Sequence, residues 1–315
     1  MSLLSIISSL FLITNLIVFP IGKNYYFQEK LSEEGRTFFN IQSETSKDNN
    51  IFPLKKINDS LGVKVSAKSV LVQDLNSSKI LWSKNGKKIR PIASITKLMT
   101  TIVLLESEGI DWEKEVVINK EDLNGDFNKL KIYNWEKIKL KDLFISSLVA
   151  SSNTGIEILL KNIDIPREEF VQKMNKKAME MKLNNTKFED PTGLTANNVS
   201  TAEEILKIAS AAFSYPNIKA ATSQKGYSFC TIDSNRLINI SNTNDLIGGY
   251  LNIEAGKTGY IEAAGFCLVS EVSYQNQGPI LVVVLGSNSH YERFTDLKAI
   301  STWIFNNYSW QSDFL

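Results

Sequence analysis

The sequence predicts a mixed α+β domain, a sheet with helices on its faces plus a helical subdomain. Three observations predict it. Strand-like apolar runs stand at both ends of a dense region that begins at Val63. A long block between them carries apolar residues at helical spacing. A last amphipathic stretch follows the second set of strands, and the order strands, helices, strands, helix gives a layered domain.

The elements follow in chain order. Ser69 to Asp74 and Ile80 to Ser83 read as strands joined by the turn Asn76-Ser77-Ser78. Ala93 to Glu106 reads as a helix with Leu98, Val103 and Leu104 on one face. Leu140 to Val149, Thr154 to Lys161 and Glu168 to Met181 continue as helices. Ser200-Thr201-Ala202-Glu203 reads as a capping box that opens a helix reaching about Phe213. Strands are expected at Tyr227 to Ile232, Leu251 to Ala255, Gly265 to Val272 and Ile280 to Leu285. Phe294 to Asn306 is the final helix, and no internal repeat is visible.

The 315 residues, 43% apolar and 22% charged, suit a globular domain with a sizeable core. With 35 basic against 34 acidic residues, no basic excess points to nucleic acid. Two cysteines and one histidine are too few for a structural zinc site, so no metal or other cofactor is expected. Cys230 and Cys267 could pair outside the cytoplasm, but buried free thiols are the preferred reading.

Residues Ser2 to Pro20 are uncharged and rich in Leu, Ile and Phe, with the first charge at Lys23. About 18 to 20 such residues cross a bilayer core. Residues 1–22 are therefore read as a signal or anchor. No small-residue cleavage site follows, which favours an anchor and a membrane attachment through this segment. Residues 23–60 are polar and read as a linker, and 61–312 as the catalytic domain.

A Ser-His-Asp hydrolase needs a histidine base, and the only histidine is His290; no serine sits in a G-x-S-x-G elbow. Ser94-Ile95-Thr96-Lys97 offers another base. A serine in a first helical turn and a lysine three residues on share one face. The helix N-terminus favours negative charge at the reacting oxygen. Lysine acts as a base only where burial or a nearby cation disfavours its charge. Ser151-Ser152-Asn153 lies at a helix junction, and Lys257-Thr258-Gly259 closes a strand. Each alone could be a cap or a turn. Together, in this order, they match the motif set of penicillin-binding proteins and class A β-lactamases.

From about Val63 to Tyr308 the chain resembles the low-molecular-mass penicillin-binding proteins, the serine D-alanyl-D-alanine peptidases of family S11. Pro91-Ile92-Ala93-Ser94-Ile95-Thr96-Lys97-Leu98-Met99-Thr100 is similar to the family's nucleophile helix. Asp190-Pro191-Thr192-Gly193-Leu194, Asn198-Val199-Ser200-Thr201-Ala202 and Asn242-Thr243-Asn244 are similar to its other segments, closest to the DD-endopeptidase branch. The resemblance implies a DD-peptidase/β-lactamase-like fold, an antiparallel sheet with flanking helices. It implies Ser94 as nucleophile, Lys97 as base, and Ser151 as donor to the leaving amine. Asn153 would bind a substrate amide, Lys257 would support Ser151, and Thr258 with Arg293 would hold the substrate carboxylate. Gly259 completes the motif, and the N–H groups of Ser94 and Tyr260 would form the oxyanion hole.

The expected activity is a D-Ala-D-Ala carboxypeptidase on peptidoglycan peptides, inhibited by β-lactams. A DD-endopeptidase with the same site is the alternative. A class A-like β-lactamase would need a deacylating glutamate, and none is identified. A non-catalytic wall-binding protein would have lost motif residues, and all are present. Such a substrate places the catalytic domain outside the cytoplasmic membrane.

Overall fold

The structure is a computed structural model that describes residues 25–31, 37–43, 53–56, 59–123, 130–275 and 277–310. It divides into two units, Met1–Asn49 and Asn50–Leu315. The described part of the first is a hairpin of β1 (Tyr25–Leu31) and β2 (Thr37–Ser43), within the span expected to be a linker. The apolar segment Ser2 to Pro20 lies outside the described residues. Among the described residues, no helix is long and apolar enough to cross a membrane.

The second unit opens with β3 (Leu54–Lys55), which pairs with a two-residue strand at Tyr308–Ser309. β4 (Ser69–Asp74) and β5 (Ile80–Lys84) form a hairpin. β6 (Arg90–Pro91) leads through a 3-10 turn, Ala93–Ile95, into α1 (Thr96–Glu106). The hairpin of β7 (Glu115–Val117) and β8 (Lys137–Lys139) precedes α2 (Leu140–Val149), α3 (Asn153–Lys161) and α4 (Arg167–Glu180). β9 (Val199–Ser200) pairs antiparallel with β6. Next come α5 (Ala202–Ser214), α6 (Pro216–Ser223) and the hairpin of β10 (Gly226–Cys230) and β11 (Leu237–Ser241). β12 (Asn252–Ile261), β13 (Gly265–Tyr274), β14 (Gln277–Ser287) and α7 (His290–Asn307) complete the unit.

The central sheet is antiparallel, in the order β12-β13-β14-β4-β5. Side chains alternate across it with period two. On β14, Leu281, Val283 and Leu285 join the core shared with α1, α2 and α5. Ile280, Val282 and Val284 point the other way, into the core beneath α7. Helices on both faces explain why Ile280 to Leu285 is apolar without a break. The predicted fold class, an antiparallel sheet with flanking helices and a helical block, is the one observed.

Several boundaries differ for physical reasons. The expected helix from Ala93 begins instead as a 3-10 turn, because Ala93 is left-handed at φ +48°. The cap of α5 is Thr201, whose hydroxyl accepts from the Glu204 N–H, one residue later than the box read from Ser200. Lys257-Thr258-Gly259 lies inside β12 and does not close it. His290 opens α7, whose Ser289 cap receives the Glu292 N–H. Both cysteines are free; Cys267 is buried as expected, but Cys230 is exposed at the outer end of β10.

Candidate active site

The sequence places Ser94 where β6 meets α1, and the local backbone explains its exposure to the cleft. Ala93 holds a left-handed conformation that non-glycine residues adopt at a cost of about 1–3 kcal/mol. Ser151, between α2 and α3, is left-handed too, at φ +55°. Strain of this kind persists where surrounding contacts impose it and gathers at functional sites. The next residue, Ser152, caps α3 by accepting the Gly155 N–H at 2.9 Å. Capping thus falls to Ser152 and leaves Ser151 Oγ for other contacts.

Two serine–lysine pairs result. Lys97 is fully buried, and its Nζ donates to Ser94 Oγ at 3.0 Å, Asn153 Oδ1 at 2.6 Å and the Thr192 carbonyl at 2.7 Å. Lys257 is 1% exposed, and its Nζ donates to Ser151 Oγ at 2.7 Å and the Thr258 carbonyl at 2.9 Å. Burial of an ammonium without hydrogen bonds is prohibitive, so these acceptors are what make both positions tenable.

β12 brings the remaining residues to the same place. A Cβ on Gly259 would lie 3.0 Å from the Ser94 nitrogen, so only glycine lets the strand approach the Ser94 turn so closely. Thr258 Oγ1 is 2.5 Å from Thr243 Oγ1. Tyr260 is half exposed and stacks on Phe266, with ring centroids 4.2 Å apart. Arg293, on α7, is buried among Phe266 and Phe294 and makes a long 3.5 Å contact to the Gly259 carbonyl. Burial pushes its guanidinium down to about 10, which leaves it cationic at neutral pH. Its Nε is buried without a hydrogen-bond partner. Every residue expected at the site therefore lies on this cleft or next to it.

Four residues, Asp190, Pro191, Thr192 and Asn198, were not assigned a role from sequence. Thr192 supplies a carbonyl to Lys97, and Pro191 supplies one to Thr100 on the same helix, at 2.6 Å. Asn198 is buried, donates to Thr96 Oγ1 and the Asp190 carbonyl, and its own carbonyl accepts the Ile92 N–H. Asp190 accepts from the N–H groups of Thr192, Gly193 and Thr195 and from the Thr192 hydroxyl. Burial alone would raise its carboxyl; these hydrogen bonds outweigh it and hold the group below the usual aspartate value. The available signal was a run of small and polar residues around Gly193, whose partners lie about 100 positions away. His290 packs edge-on against Phe266, Tyr291 and Phe294, as a structural side chain does.

Two serine–lysine pairs on an antiparallel sheet flanked by helices mark the serine hydrolases built on the S-x-x-K motif. The family model described as D-alanyl-D-alanine carboxypeptidase, peptidase family S11, matches residues 55–289. The chain belongs to this family. It is 32% identical over 243 residues to a D-alanyl-D-alanine endopeptidase of Escherichia coli K12, covering 76% of this chain and 77% of that one. It is 34% identical over 241 residues to a D-alanyl-D-alanine endopeptidase of Pseudomonas aeruginosa, covering 75% and 76%. Among solved structures, the Streptomyces K15 DD-transpeptidase matches with a TM-score of 0.70 at 24% identity, covering 77% of this chain and 98% of that one. Penicillin-binding protein D2 of Listeria monocytogenes, in its cefotaxime-bound form, matches at 0.67 and 24% identity, covering 78% and 100%. These two show the shared fold.

Proposed function

We propose that the protein is a serine D-Ala-D-Ala peptidase that cuts peptidoglycan peptides through an acyl-enzyme on Ser94. The observation that carries this reading is the 3.0 Å contact between Ser94 Oγ and the buried Lys97 amine. In the neutral form, Lys97 takes the hydroxyl proton as Ser94 Oγ bonds to the D-Ala carbonyl carbon. The N–H groups of Ser94 and Tyr260 receive the oxyanion. Ser151, with Lys257 behind it, gives a proton to the leaving amine, and the C–N bond breaks. Asn153 binds a substrate amide. The substrate carboxylate meets Thr258 and Arg293, whose planar guanidinium suits a carboxylate. Water then takes the acyl group from Ser94 and regenerates the hydroxyl.

Release of a terminal D-Ala is the carboxypeptidase form of this reaction. The endopeptidase form, in which a cross-link is cut, is a second reading, favoured by the two endopeptidase relatives at 32% and 34% identity. β-Lactams are expected to acylate Ser94 as substrate mimics. Such a substrate lies outside the cytoplasmic membrane, and the apolar segment Ser2 to Pro20 is proposed to tether the enzyme there.

The test is to incubate the full-length chain with monomeric pentapeptide muropeptides and cross-linked dimers, and to read the products by mass spectrometry. Monomers that lose one alanine identify a carboxypeptidase. Dimers that become monomers identify an endopeptidase. If neither changes while penicillin still labels Ser94, the substrate assignment is wrong.

A further inference from the structure

The segment Asn242-Thr243-Asn244 follows β11 and runs beside β12. Two of its three side chains hold the chain in place. Asn242 Nδ2 donates to the Gln224 carbonyl at 2.9 Å, and Asn242 Oδ1 accepts the Asn244 N–H at 2.9 Å. The Asn242 N–H donates to the Lys225 carbonyl at 2.8 Å. Asn244 is buried; its Oδ1 accepts the Leu246 N–H at 3.2 Å, and its Nδ2 donates to Ser270 Oγ on β13 at 3.3 Å. A Cβ on Gly256 would lie 2.6 Å from Asn244 Nδ2, so the segment is packed against β12 one residue before Lys257.

Thr243 points its hydroxyl elsewhere. Its N–H donates to the Val149 carbonyl at 3.1 Å, at the end of α2 and two residues before Ser151. Its Oγ1 lies 2.5 Å from Oγ1 of Thr258, which is buried on β12. Branching at Cβ leaves a threonine few side-chain conformations, so the backbone anchor also aims the hydroxyl.

The proton count gives this contact a direction. Each threonine hydroxyl has one proton to donate and lone pairs with which to accept. A carboxylate only accepts. The Thr258 hydroxyl must therefore donate to a substrate carboxylate, and it has no second proton for Thr243. The contact between the two hydroxyls survives in that complex only if Thr243 donates and Thr258 Oγ1 accepts. Donation into Thr258 Oγ1 polarises its own O–H bond, which strengthens the bond it makes to the carboxylate.

We propose that Thr243 is a positioning residue for substrate recognition: its hydroxyl donates to Thr258 Oγ1 and so reserves the Thr258 proton for the substrate carboxylate. The proposal rests on the DD-peptidase reading above, in which Thr258 meets that carboxylate.

The test uses full-length wild type, Thr243→Val, which keeps the branched shape without the hydroxyl, and Thr243→Ser, which keeps the hydroxyl. Turnover is measured on a peptide that ends in D-Ala-D-Ala with a free carboxylate. The same peptide capped as a carboxamide serves as a competitive inhibitor. Thr243→Val should raise KM for the acid about tenfold at unchanged kcat, because a contact made equally in the bound substrate and the transition state is weakened. The inhibition constant of the carboxamide should not change, and Thr243→Ser should restore KM. An unchanged KM overturns the proposal. So does an equal rise in KM and in the carboxamide inhibition constant, which would make Thr243 a support for the shape of the cleft. If wild type does not cut the acid peptide, the substrate assignment fails separately. Penicillin, which carries a carboxylate of its own, then decides the hydrogen bond. The ratio of acylation rates by benzylpenicillin and by its methyl ester should fall about tenfold in Thr243→Val. An equal ratio in wild type and variant ends the proposal, and no acylation of wild type ends it together with the peptidase reading.

Discussion

Gly193 lies directly against the backbone of Ala93: a Cβ at Gly193 would stand 2.1 Å from the Ala93 carbonyl oxygen and 2.9 Å from the Ser94 nitrogen. The glycine's φ of +87° is unfavourable for any other residue as well. The Ser94 turn is therefore shaped by a segment about 100 positions away. Gly193→Ala should push Ser94 out of line with Lys97. A displacement near 1 Å can cost about 10²-fold in rate, and strain should remove about 3 kcal/mol of stability. Penicillin acylation kinetics and denaturant unfolding measure the two effects. An alanine variant that acylates at the wild-type rate would show that the contact does not position the serine.

Ser94→Ala should abolish covalent labelling by fluorescent penicillin, because no oxygen remains to form the ester. Lys97→Ala should slow labelling by about 10²–10⁴-fold, the usual contribution of a positioned base. It also removes a buried partner of Asn153 and Thr192, so folding is checked by circular dichroism in the same samples. Undiminished labelling of Ser94→Ala would discard the nucleophile assignment.

The parts of this site that were legible in the sequence are those whose chemistry is local. Ser94 and Lys97 are one helical turn apart, so their meeting follows from helix geometry. Ile280 to Leu285 announced a strand through its unbroken apolar character, and its burial on both faces in the structure accounts for that character. What the sequence hid depends on long-range closure. β11 has the alternation of a half-buried strand, but it is only five residues long and, among the described residues, pairs only with β10. α6 is short and opens with Pro216, whose fixed backbone suits a first helical turn as well as a loop. The strand expected to close at Lys257-Thr258-Gly259 runs on to Ile261; its Gly256 and Gly259 allow close approach, Gly256 to Asn244 and Ser270, Gly259 to Ser94. The role of Thr192 rests on a backbone carbonyl, which no residue type reveals.

Asp190 should make stability depend on pH in the acid range. Its folded carboxyl titrates below the ordinary aspartate value of 3.8. The unfolded chain thus binds a proton first as pH falls, and stability is lost as pH drops through the folded value. Above 3.8 the contribution is fully present. Asp190→Ala leaves the buried N–H groups of Thr192 and Gly193 and the partly buried one of Thr195 without their acceptor and should cost about 3 kcal/mol at neutral pH. The gap between wild type and variant should narrow below pH 4, as wild type is protonated. Urea melts from pH 7 to pH 3 test this, and a constant gap would rule out the carboxylate as its source.

Ser151 and Lys257 should reveal themselves through the leaving group. Expulsion of a peptide amine requires a proton on nitrogen, whereas opening of a strained β-lactam ring depends less on it. Ser151 Oγ, held 2.7 Å from Lys257 Nζ, is the group proposed to deliver that proton. Ser151→Ala should therefore lower kcat/KM on D-Ala-D-Ala peptides by about 10²–10⁴-fold. Penicillin acylation should fall by a clearly smaller factor. The variant also removes one hydrogen-bond acceptor from a buried ammonium, so a stability loss of about 1–3 kcal/mol accompanies it. That loss alone would lower both rates equally through the folded fraction, and the ratio of the two rates cancels it. An unchanged ratio would exclude Ser151 from proton delivery and leave it as a support for Lys257.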